Sequence, residues 1–93
     1  MEAAVKRITQ DPADYFGFSD RGRLTGGAAA DIMVFDAERI GSPERASLVR
    51  DLPAGGARRV AKAAGISHMV VNGAALYRDG KRTGDYPGQV LRL

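Results

Sequence analysis

The sequence has no cysteine, no tryptophan and a single histidine, His68. Without cysteine there is neither a disulfide staple nor a thiolate metal site. The missing thiols also sit easily with a reducing cytosol, so a cytoplasmic location is expected. No stretch approaches the roughly 18 apolar residues of a membrane span, and no membrane partner is expected. Met1-Glu2-Ala3-Ala4-Val5-Lys6-Arg7 places charges where a signal peptide would carry its apolar run. Large apolar side chains are scarce as well: 15 of the 41 hydrophobic residues are alanine, which leaves 26. A chain of 93 residues is one small domain at most. Such a chain buries only about 60–65% of the surface its unfolded state exposes, so a thin core is expected.

Turn formers are abundant. Twelve Gly and four Pro imply a short-stranded β architecture rather than a helical bundle. The net charge of +3 is uneven: residues 1–57 hold seven Lys/Arg against nine Asp/Glu, and residues 58–93 hold seven Lys/Arg against Asp79 and Asp85. A basic half suits an acidic partner or nucleic acid. No aromatic residue interleaves with Arg58, Arg59 and Lys62, and no recognition-helix pattern is visible. A solvated basic face is therefore expected, and nucleic acid is not.

Residues 1–9 suit the tail of a helix, with Met1, Val5 and Ile8 near one face. A helix with no start signal at residue 1 is expected to be the end of a longer one. Thr9 and Asp11-Pro12 should stop it. A second short turn is expected to follow, with Asp11 as N-cap, Pro12 at the first helical position and Gly17 as the stop. Ile32-Met33-Val34-Phe35 between Asp31 and Asp36 is the most strand-like run, apolar on both faces and so in need of cover on both. Residues 37–57 read as a polar loop with one helical turn at 44–50. Ile66-Ser67-His68-Met69-Val70-Val71 and Ala74-Ala75-Leu76-Tyr77-Arg78 flank Asn72-Gly73, the strongest short hairpin signal. Asp79-Gly80 and Tyr86-Pro87-Gly88 read as further turns, and residues 89–93 as an edge strand.

Candidate chemistry reduces to structure at each position. A catalytic zinc shell needs three or more converging ligands, and one histidine cannot build it; no residue of this chain is expected to bind metal or cofactor, or to be catalytic. His68 lies inside a predicted strand, and no G-x-S-x-G elbow surrounds Ser19, Ser42, Ser47 or Ser67. Asp31 and Asp36 stand about 16 Å apart along an extended strand, too far to share a proton, and read as hydrogen bonders at strand ends. Asp11 and Asp14 suit a helix start. Pro53-Ala54-Gly55-Gly56-Ala57-Arg58-Arg59 lacks the phosphate-loop spacing and reads as a turn.

Three segments, taken in order, carry a resemblance. Ile8-Thr9, Pro12-Ala13 and Phe16-Gly17 lead to Asp20-Arg21-Gly22-Arg23-Leu24, Gly27 and Ala30-Asp31-Ile32-Met33-Val34-Phe35-Asp36. Val71-Asn72-Gly73 follows. Arg50-Asp51-Leu52-Pro53-Ala54-Gly55-Gly56 goes with Thr83-Gly84, Pro87-Gly88 and Val90-Leu91-Arg92. Together they resemble the C-terminal end of a metal-dependent amidohydrolase of the N-acyl-D-amino-acid deacylase (D-aminoacylase) type, across essentially the whole chain.

The resemblance implies a division of labour. A (β/α)₈ barrel would hold zinc and hydrolyse the amide, beside a small β-sandwich built from both chain ends. On this reading residues 1–17 are the end of the last barrel helix and its connecting turn, and residues 18–93 the C-terminal part of an accessory antiparallel β-sandwich. The expected fold is mainly β with a short N-terminal helix. The metal-binding residues would lie upstream, so none carries over. The expected partners are the barrel and N-terminal strands of the parent enzyme, or a second copy of the chain through its strand edges. The alternative is a free-standing basic β-module that binds an acidic protein or nucleic acid.

Overall fold

The computed structural model describes residues 1–92; Leu93, the last residue of the expected C-terminal edge strand, lies outside them. By internal contacts the chain divides into two units, Met1–Val34 with the chain from Ser67 onward, and Phe35–Ile66.

The first unit opens with two seven-residue helices, α1 (Glu2–Ile8) and α2 (Gln10–Phe16). Thr9 separates them: its backbone leaves the helical region at φ −126°, ψ −77°. Its hydroxyl turns back to donate to the Val5 carbonyl at 2.7 Å, a bond that competes with helix continuation. The second helix therefore starts from Thr9, two residues before the expected Asp11 cap. Pro12 is tolerated at its third position because the first amides of a helix have no intrahelical partner to lose. Asp11 instead pairs with Lys6 Nζ at 3.3 Å. Gly17 ends α2 as expected, at φ 80°, and Phe18 N–H donates to the Ala13 carbonyl at 2.8 Å.

A four-stranded sheet follows in the order β1-β4-β5-β6, with β1 Ile32–Phe35, β4 Ile66–Val71, β5 Ala74–Arg78 and β6 Lys81–Arg82. The β4–β5 hairpin turns on Asn72 (φ 49°) and Gly73 (φ 79°), and β5–β6 turns on Asp79 (φ 50°) and Gly80 (φ 75°). Both have the paired positive φ of a type I′ turn, whose twist matches that of the strands. The register runs Val71↔Ala74, Val70↔Ala75 and then Met69↔Tyr77, so Leu76 has no counterpart on β4 and forms a bulge. Thr83 closes the next edge, its amide donating to the Leu76 carbonyl at 3.0 Å and its hydroxyl to that of Ala75 at 2.7 Å. The sheet ends at β6, and residues 89–92 do not form the expected edge strand.

In the second unit β2 (Ser47–Val49) pairs antiparallel with β3 (Arg58–Val60). The expected helical turn at residues 44–50 is thus partly a strand, because β3 offers Ser47-Leu48-Val49 a ladder of hydrogen bonds. Between them Pro53–Gly55 forms a 3₁₀ turn with Ala54 at φ 58°, the plain turn read from the sequence.

The fold is mainly β, built from two antiparallel sheets, as expected. Its core is thinner than expected: among the described residues only Ala13 is buried, at 7% exposure. Ile32, Met33 and Val34 remain 38%, 40% and 49% exposed, so neither apolar face of β1 is closed. Among the described residues no helix is long and apolar enough to cross a membrane.

Candidate functional site

The densest polar arrangement lies in the first unit, where three separate segments meet. Asp31, just before β1, accepts the backbone N–H of Asn72 at 2.8 Å through Oδ1 and an Arg21 guanidinium N–H at 2.5 Å through Oδ2. The same Arg21 nitrogen donates to Asn72 Oδ1 at 2.8 Å, and Asn72 Nδ2 donates to the Pro87 carbonyl at 2.8 Å. Gly73 N–H reaches the Ala30 carbonyl at 3.0 Å. The tip of the β4–β5 hairpin is thereby tied to the start of β1, to the Arg21 loop and to the Pro87 turn.

The charges of this clamp stabilise one another. The Asn72 amide holds the Asp31 carboxyl below the ordinary carboxylate range; partial burial opposes this, and Arg21 adds to it. Arg21 is the more enclosed partner, at 15% side-chain exposure against 37% for Asp31. Behind it, Gly22 packs on the α1–α2 junction at φ +75°, where a Cβ would stand 2.6 Å from the Thr9 carbonyl oxygen and 2.9 Å from Ala13 Cβ. Arg23 pairs with Asp14 on α2, so Asp14 serves a loop rather than the helix start.

The other candidate residues stand apart from this clamp. His68 Nε2 faces Asp79 Oδ1 at 3.6 Å with the imidazole 45% exposed. Ser67 donates to the Val34 carbonyl at 3.2 Å, and among the described residues no hydrogen bond joins His68 to a serine. Asp36 accepts the Glu38 N–H at 3.0 Å, a local turn separate from the Asp31 clamp. In the second unit Arg58 forks onto Asp51 through two hydrogen bonds of 2.8 and 2.5 Å. That pairing holds the Asp51 carboxyl below its usual range and raises Arg58, and it engages one cation of the basic cluster. Among the described residues no three His, Cys, Asp or Glu are placed to hold a metal ion. The donor set does not fit a catalytic zinc shell.

A shallow apolar depression of about 420 Å³ is lined by Val71, Leu76, Arg82, Tyr86, Pro87 and Gly88. Arg82 lies over the Tyr86 ring, 5.1 Å from its centroid.

The sequence marked Asp31 as a hydrogen bonder at a strand end and Asn72-Gly73 as a turn, but not that the two meet through Arg21. The available signal was an arginine amid closely spaced glycines, shortly before an acidic strand start.

No family model matches the chain, and no solved structure does. N-acyl-D-glutamate deacylase of Alcaligenes xylosoxydans xylosoxydans is 41% identical over 92 residues, covering 99% of this chain and 17% of that protein. D-aminoacylase of the same organism is 33% identical over 91 residues, 98% of this chain and 17% of that protein. The chain is a sequence relative of the N-acyl-D-amino-acid deacylases, matching them over nearly its full length while spanning 17% of theirs.

Proposed function

We propose that this chain is a non-catalytic accessory piece of an amidohydrolase that cleaves the amide C–N bond of N-acyl-D-amino acids in the cytosol. The zinc site and the substrate pocket lie on a barrel formed by other parts of that enzyme. The observation that carries the reading is the 41% identity with N-acyl-D-glutamate deacylase along 92 residues that make up 17% of that protein. The use of its polar groups supports it: Arg21, Asp31, Asn72 and Pro87 are spent on fixing loops and a hairpin tip, which is scaffold work. The sheets complete a β-sandwich with strands from elsewhere in the enzyme. The exposed Met1, Ile8, Tyr15 and Phe16 of the helical segment pack on the barrel.

The test is amide hydrolysis of N-acyl-D-glutamate with added zinc, by this chain alone and then mixed with the remaining part of such an enzyme. The chain alone is expected to be inactive and the mixture active. Turnover by the chain alone, or a remaining part whose activity and solubility are indifferent to this chain, would refute the proposal.

A further inference from the structure

We propose that the outer edge of β1 is a self-pairing site, where a second copy of the chain adds its own β1 antiparallel about a two-fold axis through Val34. β1 is an end strand of its sheet, and its four residues, Ile32-Met33-Val34-Phe35, carry no charge, proline or glycine to discourage pairing. The opposite edge is protected: β6 is two residues long, and both, Lys81 and Arg82, are cationic.

The backbone selects the register. The Ala30 carbonyl accepts from Gly73 and the Asp36 amide donates to Gly65, so the even-numbered residues turn their backbone groups inward, toward β4. Those of Met33 and Phe35 face outward. An antiparallel partner must therefore pair odd residues with odd. This parity forbids the alignment that would set Asp31 opposite Asp36 of the second copy, a like-charge pair. Of the allowed alignments, the one centred on Val34 places Met33 opposite Phe35 of the second copy and the reverse, and so uses every outward N–H and C=O of Met33 and Phe35. An axis on Met33 would instead call on the Asp31 amide, which already donates to the Ala29 carbonyl at 2.9 Å. The flanking acids do not oppose the contact, since Asp31 is held by Arg21 and Asn72, and Asp36 by the Glu38 amide.

The surface needed is available. The chain exposes 7628 Å², against about 5200 Å² for a self-contained monomer of its mass. A stable dimer takes about 800 Å² from each partner. Half-exposed Ile32, Met33 and Val34 supply its apolar centre. The inference rests on the backbone of β1 and is independent of the hydrolase reading.

Sedimentation velocity on the 93-residue chain over a wide concentration range is expected to show a monomer–dimer equilibrium. Val34→Lys sets two ammonium groups face to face at the axis and should leave a folded monomer. Val34→Cys, in a chain without other thiols, should form a disulfide dimer on mild oxidation, because residues facing at such a position have Cα atoms about 4.5 Å apart. It should do so faster than Ser42→Cys, which lies away from β1. A monomer at every concentration, a dimer that Val34→Lys leaves intact, or a Val34→Cys chain that crosslinks no faster than the Ser42→Cys chain would each overturn the proposal.

Discussion

Replacing Gly22 by alanine should be a damaging single-methyl change in the first unit. Two costs add there. A residue with a Cβ at φ +75° sits in the left-handed region, at about 1 kcal/mol for alanine. The new methyl would also lie 2.6 Å from the Thr9 carbonyl oxygen and 2.9 Å from Ala13 Cβ. The carbonyl cannot retreat freely, because it accepts the Ala13 amide at 3.2 Å in the first turn of α2. Overpacking of this kind costs roughly 1–3 kcal/mol, for a total of about 2–4 kcal/mol. An ordinary globular domain of this length has on the order of 5–14 kcal/mol in all. Gly73→Ala is the control: its φ of +79° is similar, but nothing stands within 4 Å of the added methyl, so only the backbone cost of about 1 kcal/mol applies. Urea denaturation of both variants, followed by circular dichroism at one protein concentration so that self-association does not shift the comparison, should separate them by about 1–3 kcal/mol. In melting temperature the Gly73 change should cost about 4–8 °C and the Gly22 change at least twice that. Equal losses would show that Gly22 is not pressed against the helical junction.

Two further outcomes follow from the same geometry. Asp31 has its carboxyl lowered in the folded chain, first by the Asn72 amide, so its contribution is present above the unfolded carboxylate pKa of about 3.9 and is lost as pH falls through the lower folded value. Asp31→Asn should therefore cost about 0.5–1 kcal/mol at neutral pH, a figure reduced for the exposure of the site, and progressively less as pH falls below about 3.9; a variant with the wild-type pH dependence of its urea midpoint would contradict the clamp. Calorimetric titration with zinc should give no tight site, and a one-to-one site abolished by His68→Ala would contradict the reading of His68 as structural.

The parts of the fold written in local chemistry were legible in the sequence. Asn72-Gly73 and Asp79-Gly80 specify type I′ turns by what their backbones tolerate, and Gly17 ends a helix for the same reason. Parts that depend on a distant partner were not. Ser47-Leu48-Val49 is too short and too mixed to declare itself a strand until Arg58-Arg59-Val60 lies beside it. Residues 89–92 have strand composition but, among the described residues, pair with no strand. Arg21 is central because Asp31 and Asn72, 10 and 51 residues away in sequence, converge on it, and no local pattern reports such a convergence. The boundary between α1 and α2 turned on one hydroxyl, that of Thr9, which competes more strongly for the backbone than the Asp11-Pro12 signal suggested.

The near absence of enclosed side chains among the described residues reaches into the thermodynamics of the chain. The rise in heat capacity on melting a protein comes from apolar surface newly met by water. Here, among the described residues, most large apolar side chains already meet it in the folded state, and the one buried side chain is the methyl of Ala13. The stability curve of the lone chain is correspondingly less curved than that of an ordinary domain, and polar ties such as the Arg21 clamp carry a larger share of its height. Each apolar surface that a second copy or a larger enzyme covers would then bring back the curvature of an ordinary globular domain.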